Sequence, residues 1–387
     1  MSANSSGSSV RPEPEVAFLL GLPFHRMTMG ETVAECVAVV EAGEPRYFVT
    51  ANADFVAQAY ENERLREILI HAHRAVGDGM PLVWLSRLFP PRLPERVAGS
   101  DLVFELFREG NERGWRFFFL GSDEATLTTV GDILAKRYPG MTVAGSFSPP
   151  FAAVDDWPNE EIAQRIRAAR PHVLLVAVGC PKQEYWIARY ARDLRVPLAI
   201  GIGASLDFIS GRQVRAPRWM QKTGLEWIWR MGTDPSRLVA RYWKDFRYLF
   251  RLGFLQWRLT RRGQARVLDL GVGAANFTSP VSGVEPLCWV GTVEAANLDL
   301  HALPAEGAGP VLLDLSDVTF MDSAGIGRLL QVVRQCREAK QPLALLRPSP
   351  QVRKIIAALR LESQLPMIEK AEDFPPRAPA EDGLNAP

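Results

Sequence analysis

Polar turns that close apolar, strand-like runs are where this sequence could do chemistry. In AVGDGMP, Asp78 stands between Gly77 and Gly79. Glycine on both sides lets a ligand approach the backbone closely, and a carboxylate there can take a proton from an attacking hydroxyl. The same aspartate can instead cap a helix starting near Met80. TANADF places Thr50 and Asn52 at another strand end. Both can bond sugar hydroxyls or a base, or simply close an Asx or Thr turn. In VGCPKQEYW a strand ends at Gly179, and Lys182, Gln183 and Glu184 fall in the first turn of a helix opened by Pro181. Free amides at such a helix start favour a diphosphate, to which Lys182 and Gln183 would add donors; the alternative is a solvated polar cap. Arg96 in PERVAGSDL precedes a glycine turn. Aimed at a crevice it would neutralise phosphate; otherwise it is a surface arginine.

Other chemistries lack their residues. The five histidines show no HExxH or similar ligand spacing, and no DxD pair accompanies a turn, so no metal site is expected. GIGASLDFISG has no third glycine at dinucleotide spacing, which argues against NAD. VLDLGVGAA is followed by linker composition rather than a helix, and GxSxG is absent. No cofactor is expected. The four cysteines are widely spaced, without CxxC, which fits a reducing compartment.

The elements that must position these turns alternate. Strand-like runs at 16–22, 46–52, 74–79, 116–122, 172–179 and 197–208 are separated by segments of helical spacing, one expected from Asp54 to about His73. This predicts an α/β fold with a Rossmann-like parallel sheet, whose C-terminal strand ends converge on one crevice. Residues 1–15 are polar, lack a signal-peptide core and are expected to be disordered. The sheet-forming domain is placed at 16–211. The 212–266 segment carries fourteen Lys/Arg against three Asp/Glu, interleaved with Trp227, Trp229, Trp243, Phe246, Phe250, Phe254 and Trp257. Such a mixture suits a helical appendage lying on a membrane surface, or a pair of domain-docking helices. No apolar run reaches the roughly 18 residues of a spanning helix. Residues 267–286 are Gly/Ser/Pro-rich and are expected to be a linker. A smaller α/β unit follows at 287–373, with strands LCWVGTVE, PVLLDLS and PLALLRP and helices at 323–340 and 351–359; 374–387 is expected to be a disordered tail.

TANADF, VGDGMPLVW, ERVAGSDL, FFLGS, VGCPKQEYWI, GIGASLDFISGRQVRAPRWMQKTGLEWIWRM and DPSRLVARY occur in that order. Together they resemble the WecG/TagA/CpsF glycosyltransferases (glycosyltransferase family 26), over roughly residues 16–260. The resemblance implies inverting, metal-independent transfer of an N-acetylmannosamine, mannosaminuronic acid or glucose unit. The donor would be a UDP-sugar and the acceptor polyprenyl-diphosphate-linked, in bacterial surface or exopolysaccharide synthesis. It implies Asp78 as candidate general base with Thr50 beside it. Asn52, Arg96, Lys182 and Gln183 would contact substrates, and Arg230, Arg237 and Arg241 would be arginines of a membrane-associating appendage. A helix N-terminus near Asp78 would weaken it as a base, so it can instead orient the acceptor or stabilise charge on the sugar.

PVLLDLSDVTFMDSAGIGRLL resembles a STAS domain of the anti-sigma factor antagonist type. Ser323 falls where such antagonists are phosphorylated, or else caps its helix. The expected whole is an enzyme on the cytoplasmic membrane face. It would carry a STAS module for regulation or docking, partnered by a kinase or anti-sigma-like protein, and would have no nucleic-acid partner. The alternative is a non-catalytic STAS regulator that senses a nucleotide-sugar.

Overall fold

The computed structural model describes residues 14–89, 91–217, 219–220, 225–233, 235–264, 287–289, 291–293, 310–316, 318–321, 323–358, 361–362, 365–370 and 373. The linker at 267–286, residues 1–13 of the expected N-terminal tail, the expected tail at 374–387 and Asp322 lie outside them.

Six parallel strands form the main sheet: β3 (Arg46–Ala51), β4 (Arg74–Gly77), β5 (Arg116–Gly121), β6 (Thr142–Phe147), β7 (Val173–Ala177) and β8 (Leu198–Gly201). Their order is β4-β3-β8-β7-β5-β6, every pairing parallel. Helices cover both faces, which explains why β7 is buried along its whole length. The run at 16–22 is not one strand. It is the first half of an antiparallel hairpin, β1 (Val16–Leu19) and β2 (Leu22–His25), turned by Leu20 and Gly21 at φ 55° and 85°.

Helix α1 (Met29–Ala42) opens with a capping box of Thr28 and Glu31 and ends on Gly43 in the left-handed region. The helix expected from Asp54 to His73 is two, α2 (Ala53–Glu61) and α3 (Glu63–Ile70). Asn62 separates them because its side chain accepts from the Leu65 N–H and so caps the second. Then follow α4 (Met80–Ser86), α5 (Gly99–Arg113), α6 (Glu124–Arg137), α7 (Asn159–Ala169), α8 (Lys182–Tyr190) and α9 (Ser205–Ile209). The appendage is α10 (Glu226–Thr233) and the 30-residue α11 (Pro235–Gln264). Helix α11 packs along α2. None of the described helices is long and apolar enough to cross a membrane.

The smaller unit pairs β9 (Leu287–Cys288), β11 (Val311–Asp314), β13 (Leu343–Leu346) and β14 (Met367–Ile368) in a parallel sheet; β10 (Gly291–Val293) pairs β12 (Val318–Met321). LCWVGTVE is therefore two strands in different sheets. Helices α12 (Ser323–Glu338) and α13 (Pro350–Ala358) pack on them. The two units are in contact. Ile70 of α3 belongs to the smaller unit's apolar core, and α12 lies along β1. There, a side chain at Gly327 would stand 3.0 Å from the Val16 carbonyl oxygen. Arg334 of α12 pairs with His25 Nε2 at 2.7 Å and His73 Nδ1 at 3.4 Å.

Candidate active site

The site starts from strand register. Ala51 pairs with Gly77 across β3 and β4, so the residues that follow, Asn52 and Asp78, leave the sheet side by side. The Asp78 N–H donates to the Ala51 carbonyl at 2.8 Å. The N-cap position of α4 is Gly79 rather than Asp78, and the helix has no side-chain cap. The Asp78 Oδ2 instead accepts from the Gly99 N–H at 3.3 Å, the first residue of α5, whose own N-cap Ala98 offers no side-chain bond. An amide and the positive end of a helix directed at a carboxylate favour its ionised form. Two glycines are required here. Gly79 has φ +135°, and a Cβ on Gly99 would stand 2.7 Å from Thr50 Oγ1. Thr50 is thus the surface against which the start of α5 is seated. Asn52 Oδ1 caps α2 by accepting from the Phe55 N–H at 2.9 Å.

Arg96 is mostly buried, and carboxylates occupy it: Asp101 and Glu226, each at 3.1 Å. Arg215 takes the other Asp101 oxygen at 2.6 Å. Glu226 comes from α10, so Arg96 fastens the appendage to the sheet domain. Arg241 of α11 has its Nε 3.9 Å from Asp54 Oδ1.

These groups surround a cavity of about 600 Å³. Its lining combines polar residues, Asn52, Asp54, Asp78, Arg96, Glu226, Arg241 and Asp245, with apolar ones, Trp84, Leu85, Leu88, Trp227, Phe246, Leu249 and Phe250. Lys182 and Gln183 do not line it. The Lys182 ammonium donates to the Ala152 carbonyl at 2.7 Å and sits over the Phe151 ring. Gln183 is buried, donating to Glu184 and accepting from the Gly203 N–H at 3.0 Å. It also explains Gly201, where a Cβ would be 2.5 Å from the Gln183 amide nitrogen. Burial raises the Glu184 carboxyl above its ordinary range. The side chains of Arg230, Arg237 and Ser323 lie outside the described residues.

Sequence reasoning missed Glu226, Arg215 and Asp245. Glu226 and Arg215 stand in GLEW and RAP, quoted there only as pattern. Asp245 carried a plainer signal, being the lone acid among eight Lys/Arg in α11. It is 3% exposed, and neither carboxylate oxygen has a hydrogen-bond partner. Burial, then the nearby Asp54 carboxylate, push its carboxyl up to about 7 against the pull of Arg241 and Lys244.

The family model described as Glycosyl transferase WecG/TagA/CpsF family matches residues 17–264, and one described as Mlab, STAS domain matches 293–369. Among curated proteins, an N-acetylglucosaminyldiphosphoundecaprenol N-acetyl-beta-D-mannosaminyltransferase of Bacillus spizizenii is 32% identical over 191 residues, covering 49% of this chain and 72% of that protein. A Staphylococcus aureus protein of the same name is 28% identical over 223 residues, 57% of this chain and 85% of that one. The matched span holds the main sheet, the Asp78 turn and both appendage helices, and on that ground the chain belongs to the WecG/TagA/CpsF family and is a glycosyltransferase.

Proposed function

We propose that this enzyme transfers a sugar from a UDP-sugar to a polyprenyl-diphosphate-linked acceptor sugar at the cytoplasmic face of a membrane. Transfer inverts the anomeric centre and needs no metal, and it serves bacterial surface or exopolysaccharide synthesis. The donor sugar is of the N-acetylmannosamine, mannosaminuronic acid or glucose type. The observation that carries the proposal is the mixed polar and apolar lining of the cavity. Its carboxylates and Asn52 suit sugar hydroxyls, whereas Trp84, Leu88, Phe246 and Phe250 suit a lipid chain. Phe246 and Phe250 also belong to an exposed aromatic row on α11. A lipid-linked sugar has this division, and the relatives' names specify such an acceptor.

The acceptor hydroxyl attacks the anomeric carbon, the bond from that carbon to the diphosphate oxygen breaks, and UDP leaves with the electron pair. Asp78, held by the Gly99 amide at the start of α5, orients the acceptor and offsets positive charge developing on the sugar ring. Appendage arginines (Arg230, Arg237 and Arg241) meet the leaving diphosphate. The C-terminal STAS module docks on or regulates the transferase through its contact with β1, and phosphorylation of Ser323 by a partner kinase would act there.

The test is UDP release by the full-length protein. It uses a panel of UDP-sugars, a polyprenyl-diphosphate-sugar acceptor in vesicles, and EDTA. Acceptor-dependent release from one donor is expected. Silence across the panel with a folded protein would favour a nucleotide-sugar sensor instead.

A further inference from the structure

Asp245 has no role in the chemistry so far, yet its setting is unusual. It is one of three aspartates lining the cavity, with Asp54 and Asp78. Asp78 is hydrogen-bonded by the Gly99 amide. The two oxygens of Asp245 are buried and unpartnered. Leaving a buried carboxylate without a donor costs free energy that a fold ordinarily avoids, and such groups concentrate where a ligand completes them. The ligand that completes a carboxylate beside other carboxylates is a hydroxyl donor rather than another anion.

We propose that Asp245 is a second catalytic carboxylate of the transfer site, accepting the hydrogen bond and then the proton of the attacking acceptor hydroxyl. The proposal rests on the transfer reaction above. As the acceptor oxygen bonds to the anomeric carbon, its O–H bond breaks and the proton passes to an Asp245 oxygen. The bond to the diphosphate breaks and its electron pair leaves with UDP, so charge and atoms balance.

The two carboxylates then divide the work. Asp78 already accepts from the amide at the start of α5 and orients the acceptor. Asp245 is matched to accept a proton near neutral pH. The charged groups acting on it are Asp54 from α2 and Arg241 and Lys244 on its own helix; Cys180 and Glu184 of the α8 turn lie within the field of the same Asp54 and Arg241 or of one another. Across the cavity stand Asp78, Arg96 and Glu226. Because α11 supplies Asp245, the site is complete only with the appendage in place.

The experiment compares wild type, Asp245→Asn and Asp245→Glu by acceptor-dependent UDP release from pH 5.5 to 9, in acceptor-loaded vesicles. Wild-type kcat/KM is expected to fall about tenfold per pH unit below roughly pH 7. Asp245→Asn should lose about 100-fold or more at pH 8 and lose the acid limb, with donor binding retained and thermal stability not reduced. Asp245→Glu should keep a limb, displaced along the pH axis, and part of the activity. The assignment is overturned if Asp245→Asn stays within about threefold of wild type, or if it is slower but keeps the wild-type limb, which would leave the proton with another group. Should Asp245→Asn fail to fold, the limb of Asp245→Glu decides, and an undisplaced limb counts against Asp245. A silent wild type would instead refute the transfer reaction itself, and with it this assignment.

Discussion

At the residue scale, two aspartates of one cavity differ in what they are bonded to. Asp78 has the Gly99 amide. Replacing it by Asn keeps its shape and removes its charge. We expect Asp78→Asn to lower kcat by about 10²–10³ while the UDP-sugar Kd, measured by calorimetry, stays within about threefold. A lost donor affinity would place Asp78 in donor recognition instead. Asp245 gives the opposite prediction for stability. Its folded-state value, about 7, lies above the ordinary 3.8, so the folded chain holds a proton that the unfolded chain has released. The cost is absent below about pH 4, grows as pH rises to 7, and is full above it. Asp245→Asn should therefore stabilise the protein by about 1–3 kcal/mol at pH 8 and not at pH 4. Thermal unfolding at both pH values checks this, and a less stable variant at pH 8 would contradict the unpartnered carboxylate.

At the element scale, α11 has two different apolar faces. Leu238, Asp245 and Leu252 are buried, at intervals that keep them on one side. Val239, Trp243, Phe246, Phe250, Phe254 and Trp257 form a second row, exposed along its length, with Phe250 69% exposed. Neighbouring rings of this row stack on one another. A helix with one face spent on α2 and an aromatic row left to the outside suits the boundary of a bilayer. Replacing Trp243, Phe250 and Trp257 by Ala together should cut sedimentation with anionic vesicles by about tenfold or more, while circular dichroism stays unchanged because the buried face is intact. Undiminished sedimentation would put the membrane contact elsewhere.

At the scale of the whole molecule, the C-terminal unit and the transferase share an interface built on histidines. A guanidinium only donates, so Arg334 requires a bare Nδ1 on His73. His73 then turns its other nitrogen to Glu35 at 2.9 Å. Burial first, and then Arg334 and Arg74, hold His25 well below its ordinary value. Burial likewise lowers His73, opposed by Glu35, and brings His71 down to about 4. These histidines are neutral when docked and take up protons near pH 6.5 once exposed. Docking is therefore fully favoured above about pH 6.5 and weakens as pH falls below it, by up to about 1.4 kcal/mol per pH unit for each histidine. Limited proteolysis between the units should accelerate from pH 7.5 to 5.5. Arg334→Ala should accelerate it already at pH 7.5, and cleavage independent of pH would refute the histidine interface.

How much of this was legible differs by element. The alternation of apolar strands with helical spacing disclosed the α/β class, because period and apolarity are local properties of the chain. The turn residues Asn52, Asp78 and Arg96 were legible for the same reason, the first two following strand ends and Arg96 preceding a glycine turn. Three details escaped because they depend on a competitor rather than on periodicity. Asn62 caps a new helix where the spacing ran on, Leu20–Gly21 turns a hairpin inside one apolar run, and LCWVGTVE divides between two sheets. By itself, then, the sequence determined the strands, the helices, the basic aromatic appendage and the polar turns. The tertiary structure alone decided which of those turns share a cavity. Register set Asn52 beside Asp78, the Arg96–Glu226 pair fastened the appendage, and α11 carried Asp245 into the same space, some 170 residues beyond the turn it joins. Distances across that many residues follow from packing between elements, which no local spacing encodes.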